Sequence, residues 1–178
     1  MNKRVLCLLA DGFEEIETII PVDLLRRAGV EVVIATLRGT DATGRSGIRL
    51  TADAVLKEVV DSDFDLLLIP GGPGVGELRR DGRPAELAGE FSKAGKPVAA
   101  ICAAPLVLMD AGLLDGRRFT AHQSARDVLM EALDERVVID GNLITSRGAG
   151  TAMDFGLALV AHLAGQAAAD KVAADIMA

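Results

Sequence analysis

The chain is poor in cysteine. Cys7 and Cys102 are the two it has, and neither stands at zinc-ligand spacing from another Cys or His. That argues against a disulfide scaffold and a structural zinc site; in a reducing compartment both are expected as free thiols. Basic clusters are also missing. No run of Lys or Arg exceeds a pair (Arg26-Arg27, Arg79-Arg80, Arg117-Arg118), and the net charge is −7. Nucleic-acid and anionic-membrane partners are therefore not expected. No apolar run is long enough to span a bilayer. Val5–Ala10 follows Lys3 and Arg4 but ends at Asp11, too short for a signal-peptide core, so a cytoplasmic protein is expected. Neither a Walker A pattern nor G-x-G-x-x-G is present. Internal repeats, low-complexity segments and linkers are missing too, and 178 residues suit one domain over 1–178.

What is present is an alternation of strands and helices. Val5–Ala10 is a continuous apolar run, as in a strand buried on both faces. Glu14 to about Ala28 reads as a helix stopped by Gly29. Val30–Leu37 is the next strand, and 38–53 a loop with a short hairpin. Asp65–Ile69 is a buried strand ending in Pro70-Gly71-Gly72-Pro73-Gly74. A helix from about Pro84 to Gly95, the strand Pro97–Ile101 and the helix Ala103–Asp110 follow. Short strands are predicted at Arg118–Ala121 and around the Asp140-Gly141-Asn142 turn, then helices over Thr151–Ala164 and Ala167–Ile176. The pattern is that of a doubly wound α/β fold, a mostly parallel sheet with helices on both faces.

Ligands of such sheets bind beyond the carboxyl ends of the strands. Those ends carry Asp11 to Glu17, the Gly-Gly turn, Cys102, His122 and Ser146-Arg147-Gly148. Cys102 lies between a buried strand and a helix with Pro105 in its first turn, among the small residues Ala99, Ala100, Ala103 and Ala104. That is the local chemistry of a nucleophile elbow, with helix-terminal N–H groups near the sulfur. Cys7, inside the first strand, is expected to be inert. Gly71 and Gly72 let the backbone approach a ligand closely and, with the Ala103 N–H, form a candidate oxyanion hole. Glu17 stands four residues before Pro21, which removes the N–H that would bond its carbonyl and predicts a kink; Glu14 and Glu15 suit a helix N-terminus. His122 is a candidate proton carrier or an ordinary loop histidine, with Ser124 as the cap of the next helix. His162 is expected to be structural.

These segments together, EEIETIIPVDLLRRAG (14–29), LIPGG (68–72), AAICAAP (99–105) and ITSRGAGTAMDF (144–155), resemble the DJ-1/ThiJ/PfpI superfamily over nearly the whole chain. The resemblance points to its DJ-1-like branch. It implies a flavodoxin-like fold, a homodimer, and no metal or organic cofactor. It also implies Cys102 as nucleophile, Glu17 as its hydrogen-bond partner, His122 nearby, and Gly72 and Ala103 as backbone donors. Ala103 stands where the protease-like branch has His, so peptidase activity is not expected. The 38–53 segment departs from close relatives, carrying Gly44-Arg45-Ser46-Gly47. A class I amidotransferase fits less well, because no His-x-Glu pair lies near the C-terminus.

Two functions follow from the resemblance. One is a cofactor-free glyoxalase or deglycase acting on α-oxoaldehydes such as methylglyoxal, or on their glycated adducts. The alternative is a redox-responsive stress protein or chaperone in which Cys102 is oxidised to sulfinate. Three physical expectations accompany them. Apolar residues on more than one side of the first helix predict a homodimer. Ile16 and Ile20 desolvate Glu17 and favour its neutral form. The Cys102 thiol is expected to titrate below ~8.5, the ordinary cysteine value.

Overall fold

The computed structural model describes residues 3–178. Its elements, in order, are β1 (Arg4–Leu9), α1 (Glu15–Arg27), β2 (Glu31–Thr36), β3 (Asp41–Thr43), β4 (Arg49–Thr51), β5 (Ala54–Val55) and α2 (Leu56–Val59). Then come β6 (Leu66–Ile69), α3 (Val75–Asp81), α4 (Arg83–Lys93), β7 (Val98–Ile101) and α5 (Pro105–Asp110). The chain continues through β8 (Val137–Asp140), β9 (Leu143–Ser146), α6 (Ala152–Ala164) and α7 (Gln166–Asp175). The main sheet has the order β5-β2-β1-β6-β7-β9-β8, and β3 and β4 form a separate hairpin. Every neighbouring pair of the main sheet is parallel except β8 with β9.

Period-two alternation divides the strand side chains between two cores. Leu6, Leu8, Leu67 and Ile69 face α3, α4 and α5 through Leu78, Leu87 and Val107. Val5, Cys7, Leu9 and Leu68 face α1, α6 and α7 through Leu25, Phe155 and Val172. With both faces covered, the central strands read as unbroken apolar runs. Each fully buried Leu contributes on the order of 1.5–3 kcal/mol. The expected doubly wound, flavodoxin-like sheet is thus observed.

Helix α1 runs unbroken through Pro21. Its close partner is α6, where a Cβ on Gly156 would lie 2.6 Å from Leu24 Cδ1 and 3.1 Å from Pro21 Cα. Glycine at 156 lets the two helices approach where Pro21 interrupts the hydrogen-bond ladder.

Two local expectations are corrected. Arg118–Ala121 forms no strand and makes only an isolated bridge, Thr120 to Leu133. Side chains take up its hydrogen bonds instead: Thr120 N donates to Thr145 Oγ1, and Thr120 Oγ1 donates to Leu133 O. Helix α3 precedes the helix expected from Pro84; its Gly-Pro-Gly approach conceals the start.

Candidate active site

The carboxyl ends of β1, β6, β7 and β9 meet in one place. The β1–α1 crossover is tied to the Gly-Gly turn, with Glu14 N donating to Gly71 O at 3.0 Å and Gly74 N to Gly12 O at 3.1 Å. Glu14 caps α1, its Oε2 accepting from Glu17 N at 2.8 Å. The cap fixes the first helical turn and therefore the direction of Glu17. Glu17 is 1 % exposed, and its Oε2 accepts from Gly71 N at 2.9 Å.

Cys102 directly follows β7 and has a φ of 66°, left-handed backbone that costs a non-glycine residue on the order of 1–3 kcal/mol. Its backbone is held from both sides. Cys102 N donates to Ser146 O, and His122 N donates to Cys102 O, each at 2.9 Å. The first bond follows from register, because Ile101 is level with Ser146. The turn is thus over-determined, and it sets Cys102 beside Glu17, with Gly71 between them. The amides of Gly72 and Ala103 line the cleft with it and favour its thiolate form.

Glycine is required twice beside it. A Cβ on Gly71 would fall 2.5 Å from Glu17 Oε2 and 2.6 Å from Cys102 Cβ. Gly72 has a φ of +95° and packs on the Gly12–Glu14 backbone. Both reasons are steric, and the absence of a side chain lets the Gly71 N–H reach Glu17.

His122 lines the same cleft, of about 400 Å³, with Glu17, Gly72, Cys102 and Ala103. It is exposed, and Gly148 separates it from Glu17: a Cβ there would be 3.2 Å from His122 Cδ2 and 3.9 Å from Glu17 Oε1. Its Nδ1 accepts from Ser124 N at 3.1 Å, so His122 itself caps the short turn Gln123–Ala125. The cap expected at Ser124 is corrected accordingly. With Nδ1 accepting, the neutral ring carries its proton on Nε2.

Burial pushes Glu17 up to about 7, against hydrogen bonds from Cys102 and Gly71 that favour the carboxylate. This agrees with the expected shift towards a neutral Glu17. For the thiol the expectation is corrected. Burial, followed by the charge of an ionised Glu17, pushes Cys102 up to about 12 and outweighs the Gly72 and Ala103 amides. The sequence indicated the amides but not the depth of burial. Cys7, wholly buried in β1, is pushed upward still further by desolvation.

Two features lie outside the sequence expectations. Glu15 is only 6 % exposed. Its Oε1 accepts from Ser46 N at 2.8 Å and Ile48 N at 3.4 Å, pinning the segment that brings Arg45 into the cleft. Burial alone would raise its pKa, but these amides and its own hold it below the ordinary range. Arg79 also reaches the cleft, paired bidentately with Asp110. Among the described residues no group of three or more His, Cys, Asp or Glu is placed to hold a metal. No described helix is long and apolar enough to cross a membrane.

Comparison with known proteins gives the same picture across the chain. Drosophila melanogaster Protein dj-1beta is 38% identical over 183 residues, covering 99% of this chain and 98% of its own. Its crystal structure superposes with a TM-score of 0.96 over 99% and 98% of the two chains, at 37% identity. The structure of oxidized Toxoplasma gondii DJ-1 gives 0.93 at 33% identity, over 98% of each chain. Deglycase PfpI of Pyrococcus furiosus is 37% identical over 83% of this chain and 91% of its own. The DJ-1/PfpI family model matches residues 3–162, and the chain belongs to that family.

Proposed function

We propose that the protein is a cofactor-free glyoxalase or deglycase that uses Cys102 to convert α-oxoaldehydes to 2-hydroxy acids. The observation that carries this reading is the set of groups around one sulfur. Cys102 shares one cleft with the Glu17 carboxyl, the Gly72 and Ala103 amides and His122. Relatives named deglycases support the chemical class.

The geometry supports the following roles. The sulfur adds to the aldehyde carbon to give a hemithioacetal, and the Gly72 and Ala103 N–H groups stabilise the oxyanion. Glu17 and His122 carry the proton from the aldehyde carbon to the neighbouring carbonyl carbon. The aldehyde carbon is thereby oxidised to a thioester as the ketone carbon is reduced to a carbinol. Water then releases the acid and regenerates the thiol. One water is consumed, and no external oxidant or reductant is needed.

A second reading is favoured by the oxidized Toxoplasma gondii homologue. The two backbone donors and a protonated Glu17 would equally stabilise a Cys102 sulfinate. Lactate formation from methylglyoxal, followed by NMR, tests the first reading. Wild type should turn over and Cys102→Ser should not; an inactive, folded wild type leaves the redox reading.

The same reading includes a homodimer. Ile16 and Ile19 on α1, Met153 on α6 and Ile48 beside Glu15 are between 37% and 60% exposed. α1 packs on α6, so this apolar surface suits a second copy of the chain.

A further inference from the structure

Arg45 is a positioned cation. Its N–H donates to Phe13 O at 2.8 Å, and Gly44 N donates to Ile48 O at 2.8 Å. Glu15 lies under the segment, with Gly44 against its side chain and Ser46 N on its carboxylate. The backbone is therefore fixed on a buried anion, while the Arg45 side chain lines the cleft with Cys102 and His122. Other charges there are occupied. Arg79 is held bidentately by Asp110, and Glu14 caps α1. Among the described residues Arg45 makes no ion pair. Its charge reaches the site all the same, drawing the Glu17 carboxyl downward.

We propose that Arg45 is a specificity-determining residue of the cleft, selecting electrophiles that carry an anionic group, so that the preferred α-oxoaldehydes bear a carboxylate or phosphate away from the aldehyde. A guanidinium presents paired N–H donors to either group. The reaction assigned to such substrates rests on the glyoxalase reading. The recognition rests only on the sulfur and the cation sharing one cleft.

The test compares iodoacetate with iodoacetamide as alkylating agents for Cys102, on the full chain with Cys7→Ala as background. The two reagents differ mainly in charge, and their rate ratio cancels the reactivity of the thiol itself. In Arg45→Gln the iodoacetate-to-iodoacetamide ratio should fall about fivefold, the upper range for an exposed charge pair. Arg45→Lys should restore part of the loss. Arg80→Gln makes the same change in net charge outside the cleft and should leave the ratio at its starting value. An unchanged ratio in Arg45→Gln, or an equal fall in Arg80→Gln, would overturn the proposal. Turnover is then compared for methylglyoxal and γ,δ-dioxovalerate, whose product is 2-hydroxyglutarate. The kcat/KM preference for the charged substrate should fall in Arg45→Gln by a similar factor. If neither substrate turns over but the alkylation ratio still shifts, the glyoxalase reading fails and the anion site stands. Turnover of both substrates with no change in preference leaves the glyoxalase reading and removes Arg45.

Discussion

Glu17, in the first turn of α1, and Cys102, in the turn after β7, stand on either side of Gly71 in one cleft, both of them buried. Each strand–helix crossover supplies one member, so neither crossover alone forms the site. The pair is joined by the Gly-Gly turn, whose first N–H donates to the Glu17 carboxyl and whose second favours the thiolate form of Cys102. The chemistry of one residue cannot be changed without changing the other.

Turnover should need Cys102 and not Cys7. Cys7 is 0% exposed within β1, and desolvation holds it as a thiol. Cys7→Ala should keep nearly full lactate formation from methylglyoxal, while Cys102→Ser loses it. Activity lost in a folded Cys7→Ala protein, judged by circular dichroism, would count against the assignment.

Gly71→Ala should damage the site more than the fold. The added methyl falls on Glu17 Oε2 and Cys102 Cβ at 2.5 and 2.6 Å, so one of them must move. Overpacking of this kind costs about 1–3 kcal/mol, read as a lowered thermal midpoint. Alkylation of Cys102 should lose its normal pH dependence in the same variant. Wild-type reactivity would show that the turn relaxes without moving either group.

His122 separates the two functional readings. If it carries a proton, His122→Ala should lower kcat by roughly 10²–10⁴. Peroxide oxidation of Cys102 to sulfinate, followed by mass spectrometry, should continue, since it uses the amides and Glu17. Equal loss of both would mean that the variant disturbs the Cys102 backbone, which the His122 N–H holds.

Ile19→Lys should shift the protein towards monomer. Ile19 is 48% exposed in the isolated chain, so the substitution costs the monomer little. A charge placed in a self-complementary apolar contact is introduced twice, once in each half of the interface. Analytical ultracentrifugation should give a dimer for wild type; a wild-type monomer near 18.6 kDa at micromolar concentration removes the dimer reading.

Much of this architecture is legible in the sequence because the pattern is strong. The apolar runs of β1, β6 and β7 have one fate in a small chain, burial on both faces, and their ends carry Glu17, Gly72 and Cys102 to one edge. What escapes are contacts between distant segments. Glu15 reads as an N-terminal helix acid, yet it is the buried anchor of the Gly44–Ile48 segment. Thr120 reads as strand and is withdrawn by a Thr145 hydroxyl. The depth of Cys102 depends on how four strand ends close over it, and no local pattern encodes that. The thiol's upward shift escapes the sequence for this reason.

The last prediction concerns the proton that Glu17 and Cys102 share. Two groups this close lose their protons in two macroscopic steps. Below the first step both are neutral and the sulfur is a weak nucleophile. The first step follows Glu17, at about 7, and leaves one negative charge on the pair. Part of the push that takes the thiol to about 12 is the charge of an ionised Glu17. If Glu17 holds the remaining proton, that repulsion is removed and the Gly72 and Ala103 amides oppose burial, so that a fraction of the singly charged pair carries the charge on sulfur. Transfer within the pair takes up no proton from solution, so pH does not shift it. Cys102 alkylation should therefore rise with pH to a midpoint near or below 7, not at ~8.5 as for a free cysteine. Thiolate absorbance should rise with it, and the chain has no Trp or Tyr to obscure the band. Glu17→Gln keeps a donor beside the sulfur and should keep the midpoint within about one unit, whereas Glu17→Asp withdraws the group and should raise it. A large rise in Glu17→Gln would instead identify the carboxylate as a base that removes the thiol proton during attack. A wild-type midpoint at or above the free-cysteine value, in both alkylation and absorbance, would mean that the pair holds no usable charge at neutral pH and that Cys102 is not activated.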